Sequence, residues 1–236
     1  MPVEGLPEIQ AGDDLGAAIA GAAELEDGDV VVVAHKIVSK AEGRVVRLDD
    51  VEPSEQAHEL AAGEDPRRLE VILRESVRLV RTRAPLVIAE TPHGFVCASA
   101  GVDASNAPDA GTLVLLPVDP DVSAAHLRER LREETGRAVA VIVSDSFGRA
   151  WRQGTTDVAI GCAGLSPLLD LAGERDSTGY ELHATVIAVA DELAGAAELV
   201  RGKLDRIPVA IVRGYAAEGD GTAAELVMPR ERDLFR

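Results

Sequence analysis

Short runs of apolar residues, each bounded by glycine or charged residues, recur along the chain. Runs of four or five such residues are too short for a typical helix and are typical of buried strands. They occupy residues 30–34, 45–48, 86–89, 95–98, 113–116, 139–143 and 208–212. The pattern therefore predicts several short strands that are covered on both faces.

Other segments carry apolar residues at the three-to-four-residue spacing of an amphipathic helix. These predicted helices are 14–26, 53–62, 66–80, 122–135 and 183–200. Asp13 is a candidate cap for the first of them, and Gly136 ends the fourth. Residues 165–171 and 174–180 look irregular, and the polar tail from Ala216 is expected at the periphery. Because strands and helices do not alternate regularly, the fold class is predicted to be α+β.

The composition describes a chain that can bury a large aliphatic core. It has 236 residues, of which 46% are hydrophobic and only 3% aromatic. No apolar run approaches the roughly 20 residues that span a bilayer, and no signal sequence precedes the first strand. We therefore expect a cytoplasmic protein. Cys97 and Cys162 lack metal-ligand spacing, and we expect them to be buried free thiols.

The charge of the chain is strongly acidic, with a formal net charge of −17. Such a charge argues against general binding to nucleic acid or to an anionic membrane. Lysine occurs only at Lys36, Lys40 and Lys203. Abundant carboxylate with scarce lysine suits a salt-rich cytoplasm, and a GC-rich genome is the alternative source of part of this bias. The scarcity of lysine makes these three lysines candidates for binding an anionic ligand.

The clearest chemical signal is in residues 141–154, VIVSDSFGRAWRQG. An apolar strand ends in Asp145 and Ser146, and a glycine-containing segment with Arg149 and Arg152 follows. Carboxylate and hydroxyl oxygens can hold a hard divalent cation, and the arginines can reach phosphate oxygens. A capped turn at a strand end is the alternative. Asp157 is expected to face elsewhere.

Three further polar clusters lie at predicted strand or helix ends. They are His35, Lys36 and Lys40; Asp103 and Asn106; and Arg201, Gly202 and Lys203. The first can cradle phosphates, and the second can bind a metal or form an Asx turn. For the third, basic residues that complement a helix dipole are the simpler interpretation. Standard nucleotide-binding and metalloprotease motifs are lacking.

Taken together, long motifs of this chain resemble one family. They are LPEI (6–9), KIVSKAEG (36–43), ETPHGFVCASAGVDASN (90–106), SDSFGRAWRQGTTDVAIG (144–161) and PVAIVRGY (208–215). These segments are similar to the coenzyme F420-0:L-glutamate ligases, and the similarity extends from residue 6 to residue 215. It suggests an archaeal and halophilic source and one ligase domain over residues 1–236.

The resemblance implies a reaction and a set of partners. Members of the family add glutamate through a γ-linked amide to F420-0, a deazaflavin with a phospholactate tail. GTP is implied to phosphorylate the lactyl carboxylate, and the amine of glutamate then attacks the acyl phosphate. Two Mn²⁺ or Mg²⁺ ions and K⁺ are the implied cofactors. The implied assembly is an intertwined homodimer of two-part α+β subunits with mixed and antiparallel sheets.

The resemblance also assigns residues. The implied metal ligands are Asp103, Asp145 and Ser146. The implied nucleotide contacts are Leu6, Pro7, Glu8, Ile9, His35, Lys36, Lys40, Asn106, Arg201, Gly202 and Lys203. Lys203 departs from the expected pattern, because a charged lysine cannot ligate a metal, and we expect it to contact phosphate. No residue is singled out as general base.

Two other functions fit the same residues. One is a metal-dependent phosphohydrolase or kinase that acts on another small anion. The other is a GTP-binding regulator without catalysis. The three functions differ in what they require, because only the ligase needs both glutamate and turnover of GTP.

Overall fold

A computed structural model describes residues 1–234, which form six α-helices and twelve β-strands. The helices are α1 Leu15–Ala22, α2 His35–Ala41, α3 Glu55–Ala61, α4 Pro66–Arg74, α5 Pro120–Thr135 and α6 Val189–Arg201. The strands are β1 Pro2–Val3, β2 Val30–Ala34, β3 Val45–Arg47, β4 Arg78–Arg83, β5 Leu86–Glu90, β6 Val96–Ala98, β7 Thr112–Val114, β8 Ala140–Arg149, β9 Arg152–Ala163, β10 Leu169–Asp170, β11 Val186–Ile187 and β12 Val209–Val212.

The largest sheet has five strands in the order β1-β12-β2-β8-β9. Strands β2 and β8 are parallel, and every other neighbouring pair in this sheet is antiparallel. Strand β2 is continuously apolar because helices cover both faces of the sheet. Val31 and Val33 pack on one face with α1 and α5, whereas Val30 and Val32 pack on the other with α6.

A separate apolar cluster lies within residues 46–115. Helices α3 and α4 pack there against the antiparallel sheet β4-β5-β6 and the pair β3-β7. Two kinds of sheet, one mixed and the others antiparallel, are therefore combined with packed helices. The predicted α+β class is confirmed.

The predicted strands are all present, but three helix predictions were too long. Helix α4 ends at Arg74, and the following residues turn into β4, where Val77 N donates to Glu90 O at 2.7 Å. Helix α6 begins at Val189, because the residues before it pair with β10. Helix α1 ends at Ala22, and its cap is Asp14 rather than Asp13.

Strand β9 was not predicted, and β8 is longer than the predicted strand 139–143. The two strands form a hairpin whose paired residues run from Val141↔Ala163 to Arg149↔Arg152. Beyond Asp145 the hairpin extends past the end of β2, and its tip is exposed. In this exposed part of the hairpin both faces meet solvent, and neither alternation nor an apolar run marks a strand in the sequence. The second half of β9, residues 158–163, is a buried and mostly apolar run that the predicted strands above did not include.

The C-terminal tail is only partly peripheral, contrary to expectation. Ala223 is fully buried in the apolar cluster beneath α6, and its amide donates to Asp121 Oδ1 at 2.7 Å. The two cysteines are free and buried, as predicted, and burial raises the pKa of each thiol to about 12. No helix within residues 1–234 is both long and apolar enough to cross a membrane.

Candidate functional site

A cavity of about 500 Å³ opens where β2 ends and its parallel pairing with β8 stops, with Ala34 opposite Ser144. The residues that follow β2 therefore meet residues 144–146 of β8 at this edge, as in other sheets with parallel strands. The walls are residues 6–9, 34–37 with Lys40, 106–108, 144–146 with Asp157, and a C-terminal wall of Glu198, 201–203 and 206–208.

Helix α2 starts directly after β2, without a loop, and this controls which side chains reach the cavity. Lys36 and Lys40 are one helical turn apart and both line the cavity. His35 is 1% exposed, and its Nδ1 lies 3.4 Å from Ser39 Oγ in the same helix. The predicted strand-end cluster is thus the first turns of a helix.

His35 faces the carboxylate of Asp145. Its Nε2 lies 3.2 Å from Asp145 Oδ1, in an orientation that does not make a hydrogen bond. The same oxygen accepts a bond from Ser146 N at 2.7 Å. Within residues 1–234, the other carboxylate oxygen of Asp145 has no partner, and it is available to a ligand.

Lys36 contacts Asp103, which comes from the other end of the molecule. Its Nζ lies 2.5 Å from Asp103 Oδ2 and 2.6 Å from Ser105 Oγ. Asp103 is held in place by a bridge to Val114 at the end of β7. Burial alone would raise the pKa of Asp103, but the hydrogen bond and charge of Lys36 and the amide of Ser105 keep this pKa below its usual value.

Lys40 contacts the N-terminal segment, and its Nζ lies 2.5 Å from Glu8 Oε1. Lys203 follows α6 and lines the opposite wall. All three lysines of the chain therefore lie at one cavity, although the net charge is −17. This clustering favours an anionic ligand with several charges.

Asp157 was wrongly expected to face away from the site. It is 4% exposed, lines the cavity, and accepts hydrogen bonds from Ser144 Oγ at 2.9 Å and Ser146 Oγ at 2.7 Å. The signal that would have revealed it is the register of the hairpin, in which Ser146 pairs with Asp157. Because β9 was not predicted from the sequence, the pairing of Ser146 with Asp157 was not predicted either.

Arg201 is not a simple cap of the helix dipole. It is 1% exposed at the end of α6, and its Nη2 forms an ion pair with Asp157 and donates to Ser144 Oγ at 2.9 Å. Its Nε and Nη1 are buried and find no acceptor within residues 1–234. Asp157 therefore connects a buried cation to the two serines beside Asp145.

Arg149 and Arg152 do not reach the cavity, contrary to expectation. Strand β8 continues through Arg149, which is about 13 Å beyond Asp145 at the usual rise per residue. Both side chains are exposed at the hairpin tip, and Arg149 Nη2 donates to Gln153 O at 3.2 Å. If the chain turned at Gly148, Arg149 and Arg152 would return towards the cavity. Strand β8 instead continues through Gly148, which pairs with Thr155 of β9.

The implied nucleotide contacts all line the cavity. They are Leu6, Pro7, Glu8, Ile9, His35, Lys36, Lys40, Asn106, Arg201, Gly202 and Lys203. Asp145 and Ser146 line it as well, and Asp103 reaches it through its contact with Lys36. Residues that are far apart in the sequence are therefore brought together, although their roles as ligands stay predictions.

The residues at the site fit a hard divalent cation. Within residues 1–234, no three His, Cys, Asp or Glu side chains form a group that would hold a metal alone. Mg²⁺ is usually bound by one or two carboxylates together with phosphates of a substrate, and Asp103 and Asp145 are carboxylates of the kind that such an ion binds. Asp103 already binds one positive charge, the ammonium group of Lys36.

Comparisons with known proteins agree with this arrangement. A family model described as F420-0:Gamma-glutamyl ligase matches residues 5–214. The coenzyme F420:L-glutamate ligase of Methanothermobacter thermautotrophicus is 47% identical over 99% of this chain and 97% of its own. The enzyme of that name from Methanopyrus kandleri is 48% identical over 97% and 94%, and that from Archaeoglobus fulgidus is 43% identical over 100% and 95%.

Proposed function

The chain belongs to the F420-0:gamma-glutamyl ligase family. We propose that it joins L-glutamate to F420-0 in a reaction that uses GTP as the phosphoryl donor. One observation supports this most directly: the three lysines of the chain and Asp145 line one cavity, and Asp103 contacts one of these lysines, Lys36. A phosphoryl donor, a carboxylate and glutamate are all anions, and such a reaction needs concentrated positive charge.

The proposed reaction has two steps. The lactyl carboxylate of F420-0 takes the γ-phosphoryl group of GTP, which leaves GDP and an acyl phosphate. The amine of glutamate then attacks the acyl carbon, inorganic phosphate departs, and the amine loses a proton. The product is an amide formed through the amine of glutamate. Potassium, implied by the resemblance, remains a prediction for this reaction.

Lys36 and Lys40 would hold phosphate oxygens from one wall of the cavity. Each is nearly buried and paired with a carboxylate, Asp103 and Glu8 respectively. A buried ammonium group is stabilised in its charged form by a paired carboxylate, and it can form a new hydrogen bond to a phosphate oxygen of a ligand. Lys203 and Arg206 provide positive charge on the opposite wall.

Asp103, Asp145 and Ser146 would hold one or two Mg²⁺ or Mn²⁺ ions. Such ions, when bound, neutralise phosphate oxygens during the transfer. Ser146 Oγ donates to Asp157, so its oxygen lone pairs are left to accept or to ligate. His35 lies against Asp145 and restricts the positions that this carboxylate can take.

We also propose that the protein is an intertwined homodimer, as the resemblance implies. The β8–β9 hairpin supports this, because it extends beyond the sheet and exposes Trp151 at its tip, with 81% of that residue accessible. Tryptophan is enriched in protein–protein interfaces. Measuring the molecular mass in solution would test the dimer.

The experiment that tests the ligase is incubation with F420-0, L-glutamate, GTP and MnCl₂, followed by mass spectrometry for glutamyl addition. We expect product only when all four are present. Asp145→Asn should reduce the rate by about a hundredfold or more, whereas Asp220→Asn, at an exposed position without a partner within residues 1–234, should not. Phosphate release without glutamate would instead indicate a phosphohydrolase, and GTP binding without turnover a regulator.

A further inference from the structure

A second cavity, of about 300 Å³, lies in the smaller half of the molecule. It is bordered by Arg68, Leu69 and Ile72 of α4, the β4–β5 turn from Arg83 to Leu86, Glu64 and Ser99. We call it the arginine cavity. None of its lining residues belongs to the first cavity, and its volume is at the lower end of the about 300–1,000 Å³ typical of small-molecule sites.

The two arginines of this cavity have no acceptors. Eleven other arginines of the chain form ion pairs with carboxylates. Within residues 1–234, the side chains of Arg68 and Arg83 make neither an ion pair nor a hydrogen bond, and Arg68 Nε is buried without an acceptor. A buried donor without an acceptor is rare in folded proteins, and at a cavity wall such a donor can be satisfied by an oxygen atom of a ligand or of water.

Glu64 adds a negative charge to the same cavity. Its carboxylate contacts neither arginine, although acidic residues pair with most other arginines of this chain. Leu69 and Ile72 contribute apolar surface between the charged groups. The cavity therefore combines two guanidinium groups, one carboxylate and an aliphatic wall.

We propose that the arginine cavity binds a small dicarboxylic amino acid, with L-glutamate as the ligand. Each guanidinium can bind one carboxylate of the ligand, Glu64 can bind its ammonium group, and the aliphatic wall can cover its methylene groups. The choice of glutamate over other dicarboxylic amino acids rests on the proposed function. The site itself rests on Arg68, Arg83 and Glu64 alone.

The test is isothermal titration calorimetry of the whole protein with L-glutamate, without GTP or F420-0. Binding of glutamate that Arg83→Gln leaves unchanged is assigned to the first cavity. We expect Arg83→Gln to weaken binding at the arginine cavity at least about tenfold. Arg81→Gln is the matched control, because Arg81 is exposed on the same strand but does not line the cavity.

N-acetyl-L-glutamate, which has both carboxylates but no ammonium group, tests the role of Glu64. It should bind at least about tenfold more weakly than L-glutamate, and Glu64→Gln should remove most of this difference. Unchanged titration of Arg83→Gln, equal binding of N-acetyl-L-glutamate, or tighter binding of inorganic phosphate would each overturn the proposal. Because the assay contains no GTP, its failure would not bear on the ligase reaction. Failure of that reaction would remove the reason for choosing glutamate as the ligand but would leave the site for a dicarboxylic amino acid untouched.

Discussion

Lys36 Nζ lies 2.5 Å from Asp103 Oδ2, and this contact joins the two halves of the molecule. Lys36 belongs to α2, which follows a central strand of the five-stranded sheet, whereas Asp103 is bridged to a strand of the smaller half. The pair is mostly buried, so its strength depends on both partners being charged. It therefore couples the assembly of the candidate site to pH.

Lys36→Met should raise the pKa of Asp103. Burial favours the neutral carboxyl group, and the variant removes the lysine that opposes it. A carboxylate whose pKa is lowered by folding stabilises the protein above its unfolded pKa, about 3.9, and this contribution disappears as pH falls through the folded pKa. The unfolding free energy of the variant should thus fall less than that of the natural chain between pH 6 and pH 3. Carboxyl NMR titration gives the pKa, and urea denaturation gives the free energy, with Lys203→Met as control.

Asp157→Ala should destabilise the fold by about 3–5 kcal/mol, because it leaves the buried charge of Arg201 with only the more distant and partly exposed Glu198 as a partner. The double variant with Arg201→Met should recover part of this loss, since no buried charge then remains uncompensated. Urea denaturation measures both. Asp220→Ala is the control, and an exposed residue of this kind should change stability by less than about 0.5 kcal/mol. Additive effects of the two substitutions would contradict the coupling.

Lys40→Ala should raise the KM for GTP by roughly tenfold and change the Mn²⁺ requirement much less. The lysine lines the cavity beside Glu8, and a charged ammonium group cannot ligate a metal, so Lys40 is expected to contact phosphate rather than the cation. Steady-state kinetics with varied GTP and varied Mn²⁺ separate the two effects. Arg47→Ala, which removes an exposed positive charge from β3, should leave both unchanged.

Gly161→Ala should lower the unfolding free energy by about 1–3 kcal/mol. A methyl group at this position of β9 would collide with the backbone of Pro120, where α5 begins, and backbone cannot move aside cheaply. Gly148→Ala is the matched control, because it lies in the same hairpin and a methyl group there would meet no atom within 4 Å. If the two variants had equal melting temperatures, α5 would have moved to make room for the added methyl group, and the prediction would be wrong.

Much of the framework was visible in the sequence. The apolar runs of β2 and β12 and the first half of β8 became strands that helices cover on both faces of the largest sheet, which explains why they are continuously aliphatic. The runs of β3, β5 and β6 became strands that are only partly buried. Helix α5 was found with its end at Gly136, which has the positive φ typical of such glycines. The scarcity of lysine pointed to Lys36, Lys40 and Lys203, and all three line one cavity.

The errors share a cause. Strand β9, the inward position of Asp157 and the exposed position of Arg149 all depend on how the hairpin pairs and where it leaves the sheet. The amphipathic pattern of 66–80 extends past the helix end because β4 is also half-buried, and pairing with β5 decided its conformation. Arg201 looked like a helix cap because its partner lies 44 residues away.

The sequence alone determined which residues carry charge, which segments must be buried and to which family the chain belongs. Those properties depend on side-chain chemistry and on local spacing, and both are present in the linear chain. Only the tertiary structure decided that Lys36 contacts Asp103, that Asp157 binds Arg201, and that two arginines share a cavity in which residues 1–234 offer them no acceptor. Such contacts depend on strand register and on the crossing of distant segments, and these are settled by the packing of the whole molecule.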